Sequence, residues 1–162
     1  MLYKLPYNDI SSVFTNFNSL YGREGEDIRL RYQNAFESFK KAFNVDSAFV
    51  ASSSGRVEVC GNHTDHNGGL VLSSAISLDT LCMFLPTNDN KIVIKSDKYD
   101  DVVVDLDNIE VKIDATSKSL VKGVAYALKE RGYKVGGFNS CFTSDVIAAA
   151  GVSSSASFEM TI

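Results

Sequence analysis

The chain has no tryptophan, no surplus of basic residues and no long apolar run. Its 16 Lys and Arg are outnumbered by 20 Asp and Glu, for a net charge of −4. That balance argues against a broad nucleic-acid surface, which needs clustered cations to meet backbone phosphates. A single nucleotide needs only local donors and stays possible. No stretch approaches the ~18 apolar residues of a membrane-spanning helix. The opening segment, MLYKLPYNDI, lacks the apolar region of a secretory signal. The cysteines are three, an odd number, widely spaced at Cys60, Cys82 and Cys141. They are read as reduced, mostly buried thiols of a cytosolic protein rather than a disulfide framework.

What is present suits a globular domain. The hydrophobic fraction is 44%, the charged fraction is 22%, and ten Phe with seven Tyr supply bulk for a core. At 162 residues the chain can bury one ordinary core. Ile10, Val13, Phe14, Phe17 and Leu20 fall at helical spacing, with Gly22 as a stop. Tyr32, Ala35, Phe36, Phe39 and Phe43 mark one face of a second helix, whose Lys40 and Lys41 suit its negative end.

The period then changes. Ala48–Ala51 and Arg56–Cys60 read as short strands around a serine-glycine turn. Leu70–Ile76 and Leu78–Leu85 read as two strands or one bent strand. Lys91–Ser96 and Asp101–Leu106 alternate like a hairpin. Ser117–Arg131 reads as a helix ended by Gly132, Phe138–Ser144 as a strand, and a last helix starts near Ser153. Strands cluster centrally with helices around them, which predicts an α+β fold with a mixed sheet. The division expected is a helical segment over 1–45 and an α+β core over 46–162. The last helix has no cap before Ile162, so the chain is expected to be part of a longer protein.

Two stretches carry chemistry. The first is GRVEVCGNHTDHNGG, from Gly55 to Gly69. His63 and Asp65 can bond sugar hydroxyls, which need several partners at fixed angles. The Arg56 guanidinium can steady a carboxylate or a transferring phosphoryl group. Cys60, His63, Asp65 and His66 also form a metal-like set, although structural zinc sites draw on two separated pairs. A plain turn held by Asn62 and Asn67, with exposed histidines, is the third reading. The second stretch is AAAGVSSSASFE, from Ala148 to Glu159. Unpaired amides at a helix start attract phosphate, small side chains let it approach, and Gly151 opens backbone angles closed to other residues. The hydroxyls of Ser153, Ser154 and Ser155 add donors and can ligate Mg²⁺. The lysine of a Walker loop and the GxGxxG pattern are both missing. The competing reading is a small-residue helix packed on a neighbour and capped by its serines.

Taken together the two stretches carry a resemblance. Gly55–Gly69 resembles the galactokinase signature, usually GR(V/T)N(L/I)xGEHTDYNxG. AGVSSSAS, from Ala150 to Ser157, resembles the GLSSSAS nucleotide motif of the GHMP kinases, the superfamily that contains galactokinase. Order and separation fit as well, with the chain stopping inside the second motif's helix. The resemblance implies the N-terminal lobe of a GHMP kinase, related to the second domain of ribosomal protein S5. It implies ATP-dependent phosphorylation of galactose at the anomeric hydroxyl. Arg56 matches an arginine beside the reacting centre. His63 and Asp65 match sugar-holding residues, and Asn62 stands where the family usually has Glu. Gly151 and Ser153 to Ser155 match the phosphate loop, with Ser155 expected to help hold Mg²⁺.

The family's proton-accepting aspartate lies in a later motif that nothing here matches. Asp145 precedes the phosphate loop and is read as a strand-end carboxylate. His66 stands for a family tyrosine, Ser54 for a proline, and Ala148 to Ala150 occupy the place of glycines. The lobe alone is therefore expected to have no turnover. A non-catalytic sugar sensor, or a kinase for another hexose such as an N-acetylated hexosamine, are the alternative implications.

Overall fold

The computed structural model describes residues 4–6, 17, 21–22, 25–61, 64–110, 114 and 116–162. Among the described residues six strands form one sheet in the order β1-β2-β3-β6-β4-β5. These are β1 (Lys4–Pro6), β2 (Ser47–Cys60), β3 (Leu72–Pro86), β4 (Lys91–Ser96), β5 (Val102–Asp105) and β6 (Phe138–Ser144). All pairings are antiparallel except β4 with β6. Among the described residues three unbroken helices, α1 (Glu26–Phe43), α2 (Ser117–Glu130) and α3 (Ser154–Thr161), cover it. The mixed α+β architecture is the one expected.

α1 forms where its apolar stripe predicts, with Glu26 and Asp27 at its positive end and Lys40 and Lys41 at its negative end. Asn44, left-handed at φ 53°, closes it by an N–H bond to Lys40 O. The first predicted helix lies mostly outside the described residues; Phe17 and Tyr21 are helical, and Gly22 follows at φ +67°. Alternation along β3 sends Leu81 and Met83 to one face and Cys82 to the other. The first face joins Phe17 and Tyr32, Phe36 and Phe39 of α1 in one core. The second face joins Ile92, Ile94, Val104 and Phe142 with Val121 and Ala125 of α2 in another. Burial on both faces explains why the centre of β3 reads as an unbroken apolar run.

One expectation needs correction. The serine-glycine turn between two short strands is absent: Ser47–Cys60 is one continuous strand. Gly55 instead faces a bulge, since Ser54 pairs with Asp79 and Arg56 with Ala75, leaving three β3 residues opposite one. Leu72–Pro86 likewise forms one strand. Of the thiols, Cys82 and Cys141 are buried but Cys60, at the end of β2, is exposed. Burial raises Cys141 to about 11 and pushes Cys82 well above the ordinary thiol value, which keeps both protonated.

Candidate active site

Strand β2 and the loop before α3 meet at the two motifs. The Arg56 amide donates to Val152 O at 3.1 Å. The Arg56 side chain continues the contact, its Nε donating to Ser153 Oγ at 3.1 Å. Its Nη1 lies 3.3 Å from Glu58 Oε2, two residues along the same face of β2. Glu58 is largely buried, at 13% side-chain exposure, against 42% for Arg56. The first motif's arginine therefore sits on the second motif's serine with a carboxylate behind it. Glu58 was not singled out in the sequence, although period two along a strand places residue 58 beside residue 56.

The loop that leads into α3 is shaped by three left-handed residues, Ala149 (φ +58°), Gly151 (φ +74°) and Ser153 (φ +62°). Ser153 occupies the N-cap position, yet its side chain makes no capping bond. That corrects the capping reading: the hydroxyl is turned to Arg56 instead. Ser154 and Ser155 begin the first turn of α3, and Ser155 is exposed. Ser157 is the buried member of the run. Its Oγ lies 2.7 Å from Ser53 O and 2.8 Å from Thr80 Oγ1, tying α3 to β2 and β3. An alanine in the left-handed region carries a Cβ that crowds the next carbonyl. Ala149→Gly is therefore expected to leave stability unchanged or raise it by up to about 1 kcal/mol. Denaturant unfolding checks this, and a clear loss would contradict the turn geometry.

The other half of the first motif is a tight turn. Asn62 and His63, both proposed sugar contacts, lie outside the described residues. Asp65–Asn67 form one turn of 3₁₀ helix, ended by Gly68 at φ +76°. Thr64 Oγ1 donates to Gly61 O at 2.8 Å, and the Gly69 amide donates to Thr64 O at 2.9 Å. Gly61 needs its identity, since at φ +113° a Cβ would stand 2.6 Å from Leu70 O. The Asp65 carboxylate is exposed, 4.0 Å from His66 Nδ1. Among the described residues no bond joins Asp65 to Arg56 or to the serine loop. Nor do the described residues hold a group of three or more His, Cys, Asp or Glu able to bind a metal.

Beside the serine loop opens a cavity of about 310 Å³. Ile94, Leu120, Phe142 and Phe158 give it apolar walls, and Ala149 and Ser155 stand on the loop side. Tyr99, 59% exposed, lines it from the turn between β4 and β5. Lys98 Nζ donates to Ser144 O at 2.6 Å, fastening that turn to β6. Sequence reading saw only a hairpin turn there, because nothing in the pattern joins residues 98–99 to residues 149–155.

Comparison with known proteins finds sugar kinases and proteins of the same fold. The galactokinase galactose-binding signature matches residues 37–86. The galactokinase of Staphylococcus carnosus (strain TM300) is 35% identical over 126 residues, covering 75% of this chain and 32% of that protein. The galactokinase of Lactococcus lactis subsp. cremoris (strain MG1363) is 35% identical over 114 residues, 68% of this chain and 29% of that protein. The crystal structure of Lactococcus lactis galactokinase complexed with galactose superposes at a TM-score of 0.63 and 27% identity, over 94% of this chain and 35% of that one. Methanococcus jannaschii mevalonate kinase shares the fold, with a TM-score of 0.58 at 18% identity over 70% of this chain and 38% of that one.

The fold is that of the N-terminal lobe of the GHMP kinases. Within that class the relatives it matches are galactokinases, and the chain corresponds to their N-terminal part. It spans about a third of their length.

Proposed function

We propose that residues 1–162 form the sugar- and ATP-binding lobe of a longer kinase that phosphorylates galactose at its anomeric hydroxyl, giving galactose 1-phosphate. The observation that carries this reading is the bond from Arg56 Nε to Ser153 Oγ, which joins the first motif to the serine loop of the second. Phosphoryl transfer depends on alignment and charge neutralisation more than on covalent chemistry from the protein. Arg56 lies where it can share its guanidinium between Glu58 and an incoming phosphate. The amides at the start of α3, with Gly151 and the hydroxyls of Ser153, Ser154 and Ser155, would cradle the phosphates. The apolar cavity beside them would take the nucleoside.

Mg²⁺ would arrive on the phosphates, since this ion usually keeps waters and phosphate oxygens around it. Ser155, exposed in the first turn of α3, fits as a hydroxyl ligand. Asn62, His63 and Asp65 would hold the sugar. The proton-accepting aspartate of the family has no counterpart here, so the lobe binds without turning over. Galactokinase relatives favour this reading over a sensor.

The test is calorimetric titration of the 162-residue chain with galactose and with MgATP, paired with a coupled assay for ADP. Each ligand is expected to bind and to raise the melting temperature, because it stabilises only the form that it binds. Arg56→Met is expected to weaken MgATP more than galactose. No binding of either ligand would sink the proposal, and galactose-dependent ADP release by the chain alone would sink the assignment of the base elsewhere.

A further inference from the structure

The phosphate loop leaves the sheet where β3 and β6 part. Their ladder runs from Pro86↔Phe138 to Thr80↔Ser144. One residue beyond it, the Asp145 amide donates to Asp79 O at 3.0 Å, and then the chain turns away toward Ala149 and Gly151. Arg31, from α1, closes that fork. Its Nη2 donates to Asp79 O at 3.0 Å and to Thr143 O at 3.2 Å, one carbonyl on each strand. Its Nη1 is paired with the Asp79 carboxylate. Its Nε, buried and without a hydrogen bond among the described residues, lies 3.2 Å from Asp145 Oδ2.

The groups are graded in burial. The side chains of Asp79 and Arg31 are 4% and 15% exposed, whereas that of Asp145 is 48% exposed. The inner pair is thus part of the core, and the outer contact reaches the first residue of the loop.

We propose that Arg31 and Asp145 are positioning residues that hold the start of the phosphate loop in register with the sheet, so that nucleotide affinity depends on a helix that lies across the sheet from α3. The proposal rests on the nucleotide-site reading above. Neither residue lines the cavity beside the serine loop, and the loop's far end is fixed separately, by the Arg56 amide on Val152 O and by Ser157. Loss of the outer contact frees one end only.

Asp145→Asn removes the charge at the fork and leaves the buried Arg31–Asp79 pair in place, so the variant is expected to fold. Calorimetry on the 162-residue chain is expected to show MgATP bound about 3- to 30-fold more weakly. Galactose affinity and the unfolding midpoint stay unchanged, and Asp145→Glu recovers part of the loss. MgATP affinity equal to that of the unsubstituted chain overturns the proposal. So does a parallel fall in both affinities and in the midpoint, which marks a merely structural role. If the unsubstituted chain binds no MgATP, the nucleotide reading is what fails. The tie is then read by hydrogen exchange: faster exchange of the amides from Val146 to Ser153 in Asp145→Asn supports it, and unchanged exchange overturns it.

Discussion

Asp79→Ala is expected to remove about 3–5 kcal/mol of folding stability, the largest loss predicted for any polar side chain described here. Asp79 is 3% exposed in the middle of β3. Its carboxylate accepts from Arg31, from Ser52 Oγ and from Tyr21 OH at 2.7 Å, and Tyr21 OH in turn lies 2.9 Å from Tyr32 OH. Truncation leaves a guanidinium in the interior with its buried counter-charge gone, only the half-exposed Asp145 remaining near it, and strips an acceptor from two hydroxyls. Such an orphaned charge costs more than the intact pair was worth. Burial raises Arg31's neighbours Tyr21 and Tyr32 above the ordinary phenol value, so both stay protonated donors and cannot compensate by ionising.

Replacing both members, as in Arg31→Met with Asp79→Leu, is expected to restore most of the loss, since an apolar pair avoids burying any charge. Urea unfolding with an unchanged slope for both variants checks this. A loss under about 1 kcal/mol for the single variant would show that Arg31 escapes to solvent. The double variant also bears on function, because it repairs the core without restoring the contact between Arg31 and Asp145.

How far the sequence disclosed all this differs between fold and site. Helix α1, the β4–β5 hairpin and β6 were legible because each buries one stripe or face, and burial writes a period into the chain. Strand β2 is continuous where the pattern suggests two short strands. Gly55 looks like punctuation in a one-dimensional pattern, while in three dimensions it answers a bulge on the neighbouring strand. Arg56 and Ser153 were legible through their motifs, but their bond to each other was not, since nothing local encodes a contact between residues so far apart in sequence. Arg31 and Asp79 were the missed pair. The trace they leave is a lone charge inside an apolar stripe and another inside an apolar strand, and a buried charge demands a partner. Finding which partner requires the fold.

Gly55→Ala is expected to weaken MgATP binding at least about ten-fold, at a cost of about 1–3 kcal/mol in stability. Gly55 lies tightly against the serine loop. A Cβ there would stand 2.9 Å from Val152 O, 3.0 Å from Val146 Cγ1 and 3.1 Å from Ile76 Cδ1. The first of these is backbone, so no side-chain rotation relieves it. Val152 must back away, and its carbonyl is the acceptor for the Arg56 amide. The shift passes directly to Ser153, whose hydroxyl accepts from Arg56 Nε at 3.1 Å. A single methyl group thus pries the arginine from the serine loop, while the Thr64–Gly69 turn at the other end of β2 is untouched. Nucleotide binding should suffer more than sugar binding for that reason. The same change in open space supplies the control: Gly123 sits within α2 with nothing near its missing Cβ. Gly123→Ala is expected to stabilise the chain by about 0.5–1 kcal/mol through helix propensity and to leave both affinities alone. Calorimetric titration of the two variants side by side decides the matter. Full MgATP affinity in Gly55→Ala would mean that the closeness of β2 and the serine loop has no bearing on the ligand, and the shared site would have to be given up.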